Sequence, residues 1–262
     1  MTMIDRKSHP QAIAEAYDRR RALLLVVGAG VTMPALILPG CSAGSSEKTG
    51  GGGHEANEEG GDGEVTANED LMREHGVLRR ILILYREVAP KLIANPAGVD
   101  AAAITTAAAL FRDFGERYHE QMLEERHIFP LVRKAGGDGA ALIDTLLIQH
   151  ERGRAVTAYV LDRTKAGRIS SADGEALASA MTGFARMYEA HAAREDTIVF
   201  PAFKKSIGED TYHELGEQFE EIEHKQFGGD GFDFALDKLA DAERILGVQD
   251  LTNFTASMPP AG

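Results

Sequence analysis

His119-Glu120-Gln121-Met122-Leu123-Glu124-Glu125-Arg126-His127-Ile128-Phe129-Pro130 has a second version further along the chain, His191-Ala192-Ala193-Arg194-Glu195-Asp196-Thr197-Ile198-Val199-Phe200-Pro201. Each copy sets a histidine and carboxylates about one helical turn apart and ends on an apolar-Phe-Pro stop. A lone histidine stands a little over forty residues before each copy, His75 before the first and His150 before the second. Residues three or four apart share one face of a helix. Four helical segments would therefore aim imidazoles and carboxylates at one interior point, an arrangement that holds a pair of metal ions.

Working outward from the doubled phrase, the apolar spacing predicts four helices. The first starts at Thr66-Ala67-Asn68-Glu69, which has the Thr-x-x-Glu form of a capping box. It carries Leu78, Ile81, Leu82 and Tyr85 at helical spacing to about Ile93. Asn95-Pro96-Ala97-Gly98 breaks the chain. The second helix is expected from about Asp100 to Lys134, stopped by Gly136-Gly137. The third runs from about Gly139 to Lys165, and the fourth from near Ser171 to Lys205. Short connections make consecutive helices antiparallel, so residues 67–205 are expected to form an all-α, up-down-up-down four-helix bundle. Pro130 and Pro201 predict a kink or a tightened turn near the ends of the second and fourth helices. Residues 206–255 read as a C-terminal helical extension packed outside the bundle. There Tyr212, Leu215, Phe219 and Ile222 recur at helical spacing, Gly228-Gly229-Asp230-Gly231 turns the chain, and a last helix covers Phe232 to Leu246. Residues 256–262 are expected to form a loose tail.

The 262 residues are 44% hydrophobic and 26% charged, with a net charge of −13. That balance builds a folded domain and argues against a nucleic-acid partner, since phosphate binding asks for a basic face. The only cysteine is Cys41. No internal disulfide can form, and zinc or iron–sulfur sites built on several cysteines are excluded within one chain. Residues 1–40 have the order of a signal segment: arginines at Arg19-Arg20-Arg21, an apolar run from Ala22 to Leu38, then Leu38-Pro39-Gly40-Cys41. The arginines followed by Ala22-Leu23-Leu24 resemble a twin-arginine signal, and the last four residues resemble a lipobox with Cys41 as the lipidated terminus. The expectation is an exported lipoprotein, anchored to the membrane through a lipid at Cys41 and facing the periplasm or cell exterior. An uncleaved membrane anchor is the alternative. Residues 41–66, rich in Gly, Ser and Glu, read as a flexible tether. His9 and His54 lie in these leading segments and are read as bystanders.

On straight helices Glu120 and Glu124 share a face, as do His191 and Glu195, while His75 and His150 sit near the middle of the first and third helices. Three imidazoles and three carboxylates suit iron or manganese, and carboxylates can bridge two ions. His127, His213 and His224 read as surface groups, and Phe129 and Phe200 as core.

With these residues in place, the stretch 67–205 resembles a bacterial hemerythrin-like (HHE cation-binding) domain. The resemblance implies a four-helix bundle around a non-haem di-iron centre. Its ligands would be a histidine on the first helix, His-x-x-x-Glu on the second, one or two histidines on the third, and His-x-x-x-Glu or His-x-x-x-x-Asp on the fourth. This chain matches at His75, His150 and His191, with Glu195 or Asp196 as the last carboxylate. It departs twice. Counting back from Glu124 lands on Glu120 where the family has a histidine, so either Glu120 replaces the imidazole or a π-bulge rotates His119 inward. Arg154 stands where the family has its second histidine on the third helix. The candidate metal set is thus His75, His119, Glu120, Glu124, His150, His191 and Glu195, with Asp196 as a further candidate. Two iron ions are the expected cofactor, manganese the alternative. The resemblance implies binding of O₂, a related small molecule or iron itself. A carboxylate-rich set would shift the chemistry from reversible O₂ carriage toward oxidation, peroxide chemistry or iron handling. A di-iron oxidase, peroxidase or stress enzyme and a metal-free interaction module are the other readings.

Overall fold

The computed structural model describes residues 65–260. The signal, tether and Cys41 expectations lie outside them. Within that range the protein is all-helical. Helix α1 (Ala67–Ala94) starts on Thr66, whose hydroxyl accepts from the Glu69 N–H, and ends at Asn95. A 3-10 turn (Pro96–Gly98) leads to the second rod. That rod is capped by Asp100 and made of α2 (Ala101–Leu110), a long π-helical stretch (Phe111–Ile128) and α3 (Phe129–Ala135). Gly136 and Gly137 then turn the chain with φ of 77° and 75°, left-handed values that L side chains adopt at a cost. The third rod is α4 (Gly137–Thr164). The fourth is α5 (Gly174–Arg194), a π-helical turn (Glu195–Val199) and α6 (Phe200–Ser206). The rods run up, down, up, down.

The π-helical stretches explain the doubled Phe-Pro pair. Pro130 and Pro201 each fall in the first turn of the α-helix that follows a π stretch. A proline has no N–H to donate, and its ring crowds the carbonyl four residues back. In both rods the residue just before the proline bonds five residues back: the Phe129 N–H donates to the Glu124 carbonyl and the Phe200 N–H to the Glu195 carbonyl. Instead of the expected tightened turn, the helix widens ahead of the proline, in register with the two glutamates.

Leu78, Ile81, Leu82 and Tyr85 are fully buried, packed with Phe111, Phe114, Phe184 and Tyr188 from the other rods. The extension consists of α7 (Glu209–Phe227), α8 (Gly231–Leu246) and a 3-10 turn (Leu251–Phe254). Helix α7 lies against α1 and the π stretch of the second rod, and α8 against α1 and α2. Arg80 clamps α8 through both oxygens of Glu243, at 2.9 and 2.6 Å. Among the described residues no helix is long and apolar enough to cross a membrane.

Candidate metal centre

The four rods bring His75, His119, His150, His191, Glu124 and Glu195 to one point inside the bundle, all buried. The imidazoles meet in pairs. His75 Nε2 lies 3.0 Å from His119 Nε2, and His150 Nε2 lies 3.1 Å from His191 Nε2. The two glutamates stand between the pairs. Glu124 presents one oxygen to His119 Nε2 and the other to His150 Nε2, each at 3.4 Å. Glu195 Oε2 is 3.0 Å from His191 Nε2 and 3.5 Å from His75 Nε2.

The π stretch settles which residue of the second rod faces inward. With turns wider than an α-helix, residues five apart come onto one face, so His119 and not Glu120 shares the face of Glu124. On the fourth rod the π turn begins only at Glu195, so His191 keeps the ordinary spacing of four. Glu120 is displaced from the centre. Its Oε2 sits 3.3 Å from Arg154 and 4.0 Å from His150 Nδ1, and burial pushes its carboxyl up to about 7 against the pull of His150, His191 and Arg154. Asp196 is also displaced, because it accepts from the far nitrogen of His75 at 2.7 Å and pairs with Arg79. The centre therefore holds four imidazoles and two carboxylates, where straight helices gave three and three.

Every imidazole is held from behind. Besides the Asp196–His75 contact, Glu74 accepts from His119 Nδ1 at 2.5 Å, Glu125 from His150 Nδ1 at 2.8 Å and the Gln149 amide oxygen from His191 Nδ1 at 2.9 Å. Such partners fix the tautomer, leave Nε2 as the free lone pair and raise the basicity of the ring. The Tyr118 hydroxyl donates to Glu74 at 2.7 Å, and Arg154 pairs with Glu125. Phe200 stacks on His75 and Phe129 on His150 at 5.4 and 5.6 Å. Sequence reasoning missed Glu74, Gln149, Glu125 and the outer role of Asp196. The available signal was adjacency, since each stands directly beside His75, His150, Glu124 or Glu195.

This arrangement suits a cation on three counts. With each Nδ1–H donating outward, the facing Nε2 atoms would oppose lone pair to lone pair at 3.0 and 3.1 Å unless a proton or cation sat between them. Two nitrogens that share one ion at right angles, each about 2.1 Å from it, stand about 3.0 Å apart. Both oxygens of Glu124 and both of Glu195 are buried with no hydrogen-bond partner among the described residues. Such groups cost roughly 1–3 kcal/mol each when nothing pairs them. Three ligand groups result among the described residues: His75–His119–Glu124 and Glu124–His150–His191–Glu195 at the centre, and Glu120–Glu125–His150 on the outer nitrogen of His150. Without an ion the site retains protons. Burial alone would push His119 and His150 down, but Glu124 and Glu74 on the first, and Glu120, Glu124 and Glu125 on the second, hold both well above the usual imidazole range.

The other candidates stay outside the centre. His127 packs edge-on to Phe219 of α7 at 5.7 Å, and burial with the Arg126 charge lowers its pKa. His213 and His224 lie exposed on α7.

A four-helix bundle with paired imidazoles and unpartnered carboxylates at its middle defines a helical cation-binding domain. The chain belongs to the hemerythrin HHE cation-binding domain family, whose model matches residues 66–203. It is similar to uncharacterised proteins of Mycobacterium tuberculosis and Mycobacterium bovis. These are 44% identical over 194 residues, covering 74% of this chain and 75% of each relative. No solved structure matches it.

Proposed function

We propose that the protein is a non-haem di-iron protein that binds O₂ or a related small molecule outside the cytoplasm. His75 and His119 would hold one ion and His150 and His191 the other, with Glu124 and Glu195 as the carboxylates between the two pairs. The observation that carries this reading is the pair of Nε2–Nε2 approaches beside four unpartnered carboxylate oxygens. Imidazole and carboxylate donors match iron, with manganese the competitor. An iron pair, when bound, supplies two electrons and an open position for a small ligand. The chain's own residues do the rest. Asp196, Glu74, Glu125 and Gln149 hold the rings in one orientation, and Phe129, Phe200 and Tyr188 keep bulk water from the rings. Export and lipid anchoring at Cys41 belong to the same proposal and rest on the resemblance of residues 1–41 to a lipoprotein signal.

A second reading, a di-iron oxidase or peroxidase, is favoured by one observation: three of the four imidazoles are backed by carboxylates. Anionic partners make the rings more basic and favour the oxidised metal. Metal analysis and absorption spectra of the full-length protein from iron-replete cells test the core claim. One iron per pocket with near-ultraviolet bands supports it, and protein free of metal under those conditions sinks it. Exposing the reduced protein to O₂ and then removing the gas separates the two readings. Recovery of the reduced spectrum marks a carrier, and permanent oxidation an enzyme.

A further inference from the structure

The two pockets form a pseudo-symmetric pair in that the same parts recur in the same order, and the repeat fails where the extension packs. In one pocket His75, with Glu74 before it and Arg79 after it, meets His119. In the other His150, with Gln149 before it and Arg154 after it, meets His191. The outer contacts repeat as well, Asp196 to His75 and Glu125 to His150. The repeat fails behind His119. There Glu74 replaces the neutral amide of Gln149, and Tyr118 occupies the position that Ala190 takes on the fourth rod.

The extension lies beyond residue 203, where the family match ends, yet it reaches this spot. Phe227 closes α7, and its ring meets Tyr118 edge-on at 5.3 Å and Phe114 at 5.8 Å. Tyr118 holds Glu74, and Glu74 holds His119, so one continuous chain of contacts runs from the extension to the metal-facing imidazole. Behind His191 nothing comparable exists among the described residues. Gln149 is half-buried, and a groove of about 270 Å³ between α4 and α5, lined by Leu142, Leu146, Ala190 and Arg194, opens down to it.

From this we propose that the two metal positions differ in exchange. The extension locks the His75/His119 position, while the His150/His191 position trades its ion with solvent along the groove over Gln149. The proposal rests on the paired-cation reading above. An imidazole must swing away to release its ion. Both rings lose an aromatic contact on swinging, His191 its stack on Tyr188 at 5.0 Å. They differ in the bond behind them: His119 breaks a hydrogen bond to a carboxylate held by Tyr118 under Phe227, whereas His191 breaks one to a neutral, half-buried amide. Tyr118 and Phe227 are positioning residues in this account and touch no ion.

Two measurements test it. In metal-free full-length protein, the Nδ1 protons of His119 and His191 are followed by nuclear magnetic resonance. The His119 proton is expected to exchange with water about tenfold more slowly. Tyr118→Phe and Phe227→Ala should erase that difference, and Phe227→Leu should keep most of it. Glu243→Gln, which loosens α8 at Arg80 without touching Tyr118, should leave it unchanged. In protein loaded with ferrous iron, excess bipyridyl should remove the metal in two equal phases. Phe227→Ala should speed only the slow phase, and Gln149→Glu should slow only the fast one. A single release phase, equal proton exchange, or a Glu243→Gln effect as large as that of Phe227→Ala overturns the lock. Protein that shows the proton pattern but retains no iron overturns the paired-cation reading instead.

Discussion

The pocket of His75 and His119 and the pocket of His150 and His191 are built from the same parts in the same order, yet they present different surroundings to an ion. Both use one imidazole from an odd-numbered rod and one from an even-numbered rod. Both stack an aromatic ring on the odd rod's histidine, Phe200 on His75 and Phe129 on His150. Both receive an acidic partner from the residue after a shared glutamate. They differ in what stands behind the second imidazole: a buried carboxylate held by a tyrosine in one, a half-buried amide under an open groove in the other. On the paired-cation reading, a doubled helical motif sets where an ion would sit. The residues adjacent to the motif, and the segment packed over it, would then set how tightly the ion is kept.

The largest way to break the comparison is to remove a shared ligand. Glu124 faces both pockets at the same distance, so Glu124→Gln should weaken both ions alike. The loss should exceed the roughly 10–100-fold that changes in outer partners cause. Glu195 leans toward His191, at 3.0 Å against 3.5 Å to His75. Glu195→Gln should therefore empty the His150/His191 pocket first. Competition with a chelator of known affinity, followed at two wavelengths, reads both. Equal losses from the two pockets in Glu195→Gln would remove the asymmetry.

The bundle was legible because its signals are periodic and local. Apolar spacing, a capping box at Thr66 and glycines at Gly136-Gly137 gave the rods to within a few residues. His75, His150, His191, Glu124 and Glu195 stood out because the chain repeats them. The position of His119 was undecided because helix pitch is not written in apolar periodicity. A π stretch moves the inward face by one residue, and here it runs for eighteen. The two prolines were the clue, and they suggested a kink or a tightened turn, where the turn that precedes them is widened. Glu74, Gln149 and the Tyr118–Phe227 contact were out of reach for a different reason. Each acts across rods, and sequence spacing says nothing about which neighbour a flanking carboxylate or a distant helix will meet.

A smaller perturbation uses pH to separate the extension from the bundle. Glu223 of α7 is buried, and burial with the charges of Glu74, Asp70 and Asp230 pushes it from an ordinary 4.5 up to about 8, although the Phe232 N–H pulls the other way. Asp70 rises from 3.8 to about 7 through burial and Glu74, opposed by Arg73. A raised carboxyl keeps its proton in the docked state while the freed state ionises. Docking is therefore strongest below about pH 4 and weakens as pH climbs to about 8. Hydrogen exchange across α7 and α8 should accelerate about tenfold between pH 6 and pH 9 after correction for the intrinsic rate. The α4 and α5 amides, which the extension does not cover, should show no such change. Glu223→Gln should flatten the dependence, and a dependence that survives it would place the cause elsewhere.

The smallest expected effect tests the pseudo-symmetry itself. Arg79 pairs with Asp196 behind His75, and Arg154 pairs with Glu125 behind His150, each four residues after its histidine. Both side chains are partly exposed, at 36% and 27%, so water screens much of what they contribute. Exposed pairs are worth about 0.2–1 kcal/mol, a change of fivefold or less in metal affinity. Arg79→Ala and Arg154→Ala should fall in that range, each acting mainly on its own pocket. Arg154→Ala should be the larger of the two, because Arg154 also faces the buried Glu120 at 3.3 Å and its loss removes the nearest cation from that carboxylate. A larger loss in Arg79→Ala, or an effect of either substitution on the opposite pocket, would show that the two halves are not independent copies of one design.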